Sequence, residues 1–410
     1  MHPARKRRGG LSAAARRRFL VAAFGDAGHA FPAIGVARAL AARGHEVTVE
    51  TWEEWRAAVE GEGLGFTAAE EYETFPPPPP GSNGTASVAE AALALVPMLE
   101  RERFDVVISD ILTLAPALAA EKVGSTLATL IPHVYPVSEP GMPLFAVGGL
   151  APRTVVGRAL WRGAMPLLRD GLRRGREDMN RSREAVGLAP TERLHAGISE
   201  TLAIVATFPQ LEYPRRWPEG AHVVGPIGFE IGHADVALPG GQGPLVVVAP
   251  STAQDPERRL VRSALEALAD EPVRVLATTN RRLGGEPLFE APANAIVVDW
   301  LSYTQAFAAA DLVICHGGHG TVARALGAGV PVICCPAVGD MTENGARVAW
   351  AGAGLMVPWR LTGVASLRAA VRRALSDPGL GARAGEIGDW SRRNDGAARA
   401  AELVEEIAAT

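Results

Sequence analysis

An α/β fold of two facing Rossmann-like domains is what this sequence predicts, and three observations carry the expectation. Phe19 to Thr51 reads as strand, loop, helix and strand, and Leu245 to Ala277 repeats that reading at nearly the same spacing. Each stretch opens a βαβ unit, which buries its apolar strands in a parallel sheet covered by helices. Residues 228–243 hold Gly232, Pro239, Gly240, Gly241 and Gly243, which interrupt every periodic pattern and mark a linker. A chain of 410 residues also exceeds what one hydrophobic core supports. In such sheets ligands sit beyond the carboxyl ends of the strands, so the cleft between the domains is where function is expected.

Residues 1–18 are expected to form a disordered basic arm. Arg16-Arg17-Arg18-Phe19-Leu20 has the look of a twin-arginine export signal, but the apolar stretch Phe19 to Phe24 is too short for a signal core and runs into Asp26 and His29. Residues 19–227 then make the first domain. Phe19 to Phe24 is a strand, Gly25 to Phe31 a loop, Pro32 to Arg43 a helix with proline in its first turn, and Val47 to Thr51 a strand. Glu70 to Ser87 carries five consecutive prolines, Pro76 to Pro80, and reads as a stiff extended connector. Phe104 to Ser109 is a strand with Asp110 at its end, followed by a helix from Leu112 to Ala120. Trp161 to Val186 reads as a basic amphipathic helix or a pair of helices.

The second domain spans 244–388, with strands Leu245 to Ala249, Val273 to Ala277 and Ile296 to Val298 and a helix from Glu257 to Ala269. Residues 389–410 form a last unit, with one long helix over Trp390 to Ala409.

With 48% hydrophobic residues and a net charge of −4, nothing points to nucleic acid or to a polyanionic partner. No apolar run approaches the roughly 20 residues that a membrane helix needs. The three cysteines, Cys315, Cys334 and Cys335, fall in expected buried strands without metal-ligand spacing, which fits a reducing cytoplasm.

The most informative stretch is Ala309 to Pro336, AADLVICHGGHGTVARALGAGVPVICCP. Asp311 to Cys315 and Val330 to Cys335 are apolar runs, and Thr321 to Leu326 between them has helical composition. Glycines in the loop His316-Gly317-Gly318-His319-Gly320-Thr321 let backbone amides approach a ligand, and a helix N-terminus leaves those amides unpaired with a positive dipole behind them. Such a place attracts phosphate. Thr321 can add a hydroxyl and His316 a ring N–H, while His319 reads equally as a phosphate contact or a structural residue.

HGGHGT, followed by GAGVPVICCP and GDMTENGARVAWAGAG, resembles the donor-binding motif of nucleotide-sugar-dependent glycosyltransferases of the two-domain GT-B fold, most of all the actinobacterial enzymes that glycosylate natural products. The resemblance is specific from Asp299 to Pro358, weaker at Phe19 to Glu50, Phe104 to Gly124 and Leu245 to Ser251, and nearly absent between Ser125 and Gly225.

It implies an inverting transferase with no metal or other cofactor, using a TDP- or UDP-sugar and a small hydrophobic aglycone. His29, in its Gly-His-x-x-Pro setting, matches the general base, and Asp110 its orienting carboxylate, where the residues alone also allow a helix cap. Ser251, His316, Gly317, Gly318, Gly320 and Thr321 match the diphosphate site, Trp300 the base-stacking residue, and Asp340 a sugar-hydroxyl ligand. The chain has no Asp-x-Asp to hold a divalent metal. Two departures stand out. Met341 replaces a common Gln, which tilts the expectation toward a deoxysugar. Arg324 replaces a ribose-binding Glu and puts that contact in doubt. Tyr72, Phe75, Met142 and Phe145 are candidate acceptor contacts, and the C-terminal helix is expected to cross back to the first domain.

Other readings stay open. Glu50 ends the second strand where a nicotinamide enzyme places its ribose-binding acid, but GDAGHA lacks Gly-x-Gly-x-x-Gly. A non-catalytic binder of the same fold, and a transferase acting on a lipid acceptor at a membrane surface, are the remaining alternatives. The acceptor, the linkage type and the oligomeric state, a homodimer included, are not coded legibly.

Overall fold

The computed structural model describes residues 16–69, 84–232, 236–251, 255, 257–280 and 290–409. The arm up to residue 15, the proline run, Tyr72 and Phe75 lie outside the described residues. The first sheet holds β1 (Arg18–Ala22), β2 (Glu46–Thr51), β3 (Gly65–Ala68), β4 (Val106–Asp110), β5 (Thr126–Ile131), β6 (Leu202–Val205) and β7 (Ala221–Val223), in the spatial order β3-β2-β1-β4-β5-β6-β7. The second holds β8 (Leu245–Ala249), β9 (Arg274–Thr278), β10 (Ala295–Val298), β11 (Leu312–Cys315), β12 (Val332–Cys334) and β13 (Gly354–Met356), in the order β10-β9-β8-β11-β12-β13. Every pairing is parallel. Buried on both faces, the central strands are continuous apolar runs such as LVVVA in β8.

Helices α1 (Ala27–Ala42), α2 (Arg56–Gly61), α3 (Gly84–Glu102), α4 (Leu114–Val123) and α5 (Val155–Ala185) accompany the first sheet. Helices α6 (Arg259–Leu268), α7 (Tyr303–Ala309), α8 (His319–Gly327), α9 (Asp340–Ala351), α10 (Val364–Ser376) and α11 (Pro378–Arg393) accompany the second. The last, α12 (Gly396–Ala408), returns to the first domain: Ala400, Ala401, Leu403 and Val404 join the core of α1 and β1, and Glu405 accepts from Arg43 Nε at 2.8 Å and meets His45 Nε2 at 2.7 Å.

Three of the boundaries that differ from the sequence reading are set by a capping side chain. The single helix over Trp390 to Ala409 is two helices, because Asn394 and Asp395 are extended and the Asp395 carboxylate caps α12 by accepting from Ala397 N and Ala398 N, both at 3.0 Å. The basic segment is one helix, α5, beginning at Val155 because Thr154 caps it through the amide of Gly157. The helix expected from Pro32 begins at Ala27, since the Asp26 carboxylate accepts from Gly28 N at 2.9 Å.

The strand orders put a topological switch between β1 and β4 in one sheet and between β8 and β11 in the other. Crevices at such switches receive ligands.

Candidate active site

The first crevice is built by β1, α1 and β4. Since α1 starts early, His29 occupies its first turn and not a loop. Its Nδ1 donates to Asp110, 2.8 Å from Oδ2 and 3.0 Å from Oδ1. The Asp110 carboxylate is fully buried at the end of β4, and Oδ1 also accepts from Leu112 N at 2.8 Å. It is thus no helix cap, since Thr113 stands at that position of α4. An imidazole with its proton fixed on Nδ1 offers a bare lone pair at Nε2. Burial opposes a charge on His29, but the carboxylates of Asp110, Asp26 and Asp340 outweigh it and raise the ring above its ordinary value.

A residue that the sequence reading missed sits beside it. His133, just beyond β5, faces His29 with ring centroids 6.3 Å apart and packs on Phe145 at 5.8 Å. Its Nδ1 lies 2.8 Å from the Val134 carbonyl, so the proton is held there, and burial lowers its pKa. His133 is therefore a neutral ring with an accepting Nε2. The available signal was a histidine beyond the end of a strand, as with Asp110, but β5 lies in the stretch where no motif was legible.

The second crevice is built by β8, β11 and α8. The helix opens at His319 with Gly318 as its N-cap, two residues earlier than expected, so Thr321 is its third residue and is buried. Gly317 has φ +87°, which only glycine adopts freely, and a Cβ at Gly318 would lie 2.3 Å from His316 Nε2. The two glycines thus seat the His316 ring on the loop, while Gly320 is exposed. His316 Nδ1 is 3.4 Å from the carbonyl of Ala249, the last residue of β8, and burial lowers the pKa of the ring. Ser251 follows β8 and is buried. His319 points away from the loop amides: it is buried, its Nε2 meets the Ala206 carbonyl of the first domain at 3.2 Å, and burial drives its pKa down to about 4.

Trp300, beyond β10, is 39% exposed, so it is no core aromatic. Asp340 and Met341 open α9 and are half-buried, and the Met341 carbonyl would lie 2.9 Å from a Cβ at Gly317. Charge links the two crevices: Asp340, on the second domain, favours protonation of His29, and Asp26, on the first, favours that of His316. Among the described residues no group of three His, Cys, Asp or Glu is placed to hold a metal ion.

Residues 262–408 match the family described as erythromycin biosynthesis protein CIII-like, C-terminal domain. Over 95% of its length the chain is 28% identical to 4'-demethylrebeccamycin synthase of Lentzea aerocolonigenes, covering 99% of that protein. Among solved structures it superposes on the glycotransferase of kitacinnamycin with a TM-score of 0.74 at 20% identity, covering 96% of this chain and 99% of that one. It also superposes on the glycosyltransferase VinC in complex with DTDP, with a TM-score of 0.67 at 19% identity, covering 96% and 99%. Residues 262–408 thus carry that C-terminal domain, and the chain as a whole has the two-domain fold of these solved structures.

The two domains are tied by polar contacts around the crevices. Arg347 of α9 bonds Glu343 at 2.8 Å and reaches Glu212 of the first domain at 2.7 Å, all three buried. Thr342 Oγ1 donates to the Ala146 carbonyl at 2.7 Å, closing the 135–153 segment onto α9. Arg324, at the position in doubt as a ribose contact, donates to the Phe229 carbonyl and stacks near Tyr303. Arg324 joins the segment around Phe229 to α8.

Proposed function

We propose that this protein is an inverting, metal-independent glycosyltransferase that moves a sugar, of the deoxysugar class, from a TDP or UDP donor to a hydroxyl of a hydrophobic natural-product aglycone. The observation that carries the reading is the His29–Asp110 pair, whose free Nε2 belongs to the crevice facing the His316 loop and Asp340. In the proposed reaction the acceptor oxygen attacks the anomeric carbon and its proton passes to His29 Nε2. The bond from that carbon to the diphosphate breaks, and the nucleoside diphosphate leaves with the electron pair. Asp110 holds the tautomer and stabilises the imidazolium, a form of general-base catalysis worth roughly 10² to 10⁴-fold.

The leaving diphosphate is held by His316 and by the amides of Gly317, Gly318, Gly320 and Thr321, with Ser251 opposite, so that fixed dipoles meet the developing charge. Trp300 stacks on the base, Asp340 binds a sugar hydroxyl, and Met341 beside it favours a sugar lacking one. The neutral His133 accepts a hydrogen bond from a hydroxyl between the crevices. A thymidine diphosphate donor is supported by the DTDP-bound relative. The three buried free thiols support a cytoplasmic setting. Transfer to a lipid acceptor at a membrane surface is the second reading.

Calorimetric titration with TDP, UDP and NAD, without added metal, tests the donor site alongside His316→Ala. TDP or UDP binding that the variant loses is the expected result. Binding of NAD alone, or of neither diphosphate, overturns the reading.

A further inference from the structure

An apolar and cationic face borders the acceptor side of the cleft. Half of the large hydrophobic side chains exposed among the described residues lie between 147 and 167: Val147, Leu150, Val155, Val156, Leu160 and Leu167. Leu160 and Leu167 are 72% and 76% exposed, which is unusual for leucine on a soluble helix unless something covers it. Residues 140–169 contain four arginines, Arg153, Arg158, Arg162 and Arg169, and no Asp or Glu, in a chain whose net charge is −4. All four are exposed, and none forms an ion pair among the described residues.

The spacing arranges the two kinds of side chain into stripes. At about 100° per residue, Val156, Leu160 and Leu167 fall within about 40° of one another on α5, and so do Arg158, Arg162 and Arg169. The side packed on the protein, which includes the buried Met165, lies between the stripes, so they emerge on opposite flanks of the outward face. The outward line itself carries Ala159, Gly163 and Pro166, small side chains that let a flat surface come close, and ends at Asp170, which pairs with Arg173 and Arg174. Just before α5, Phe145 packs on His133 and Ala146 is bonded by Thr342, so this face is continuous with the rim of the cleft.

We propose that this face docks on an anionic lipid bilayer, with the leucines and valines entering the interfacial layer and the arginines on lipid phosphates. A bilayer fits where a second copy does not. A two-fold pairing through this face would set its arginines against their own copies, where the nearest carboxylate, Asp170, is already paired with Arg173 and Arg174. Burial of a few apolar side chains plus attraction of several arginines to anionic headgroups is the recipe for reversible interfacial binding. Docked this way, the acceptor side of the cleft opens beside the apolar layer, from which a hydrophobic acceptor is drawn. The acceptor role rests on the transferase reading, but the docking does not, so vesicle binding and donor binding fail independently.

The test is flotation of the full chain with phosphatidylcholine vesicles with and without about 30 mol% phosphatidylglycerol, in about 0.1 M and about 1 M salt. Two variants go alongside, Leu160→Asp with Leu167→Asp, and Arg158→Glu with Arg162→Glu, each checked for an unchanged circular dichroism spectrum and unchanged TDP binding. The expected result is binding to the anionic vesicles that salt weakens, with each variant lowering the partition coefficient by about 10-fold or more. Absence of binding, binding that neither variant changes, or self-association in sedimentation velocity that the leucine variant abolishes would each overturn it. The last outcome would make the face a protein interface.

Discussion

His29 and Asp110 are 81 positions apart in the sequence and 2.8 Å apart in space, with the carboxylate fully buried and gripping Nδ1 through both oxygens. The pair exists because β1 and β4 are neighbours, with Ala22 opposite Ser109 at their carboxyl ends. Removing the charge should therefore disturb the tautomer more than the fold. We expect Asp110→Asn and His29→Ala to lower kcat by about 10² to 10⁴-fold with TDP affinity unchanged. Steady-state rates beside calorimetry check this, and a variant that loses both equally would show a folding defect instead.

In the proposed reaction the same pair is expected to set the pH profile. Burial works against a charge on His29, but Asp110 and the neighbouring carboxylates leave its pKa raised above the ordinary 6.5. A base works unprotonated, so kcat/KM should rise with pH along a limb centred above 6.5 and then level. In Asp110→Asn the residual activity should titrate at lower pH, because the main raising influence is gone. A limb that does not move on substitution removes His29 from the role of base.

Glu50 gives a test read in stability instead of turnover. It is buried at the end of β2 beside Phe24 and Trp52, its Oε2 has no partner, and desolvation pushes its pKa up to about 8. Between the ordinary carboxyl value and about 8 the folded chain keeps a proton that the unfolded chain has lost, so this group makes stability fall as pH rises through that window. Glu50→Gln should remove the dependence and raise stability at pH 8 by an amount on the order of 2 kcal/mol, read from urea unfolding. Equal stability of the two proteins at pH 8 would show that the carboxyl is ionised and solvated.

Arg347 lies between Glu343 and Glu212 with its guanidinium over the Tyr213 ring, and so fixes α9 to the first domain. Arg347→Ala strands two buried carboxylates and should cost about 3–5 kcal/mol. Arg347→Met with Glu343→Gln and Glu212→Gln should recover part of that loss. Failure of the triple variant to recover any would mean that packing on Tyr213, and not charge, holds the joint.

What was legible in the sequence follows from the range of the interactions involved. The turn from β11 into α8 was readable because its glycines, its histidine and its helix start are consecutive, and β8 was readable because a strand buried on both faces has no room for polar residues. Boundaries set by a single side chain were missed. Asp26 started α1 before Pro32, and Asp395 split the C-terminal helix, each by accepting amides that the local pattern did not reveal.

By itself the sequence determined two βαβ-based domains and a glycine-rich turn that opens a helix in the second, both of which depend on neighbours along the chain. Only the tertiary structure decided that His133 stands beside His29, that His319 bonds Ala206 across the domains, that Arg324 holds the segment around Phe229, and that Trp300 is exposed. Strand order and domain contact bring those residues together, and both are set by how the whole chain buries its apolar strands, which no short segment records.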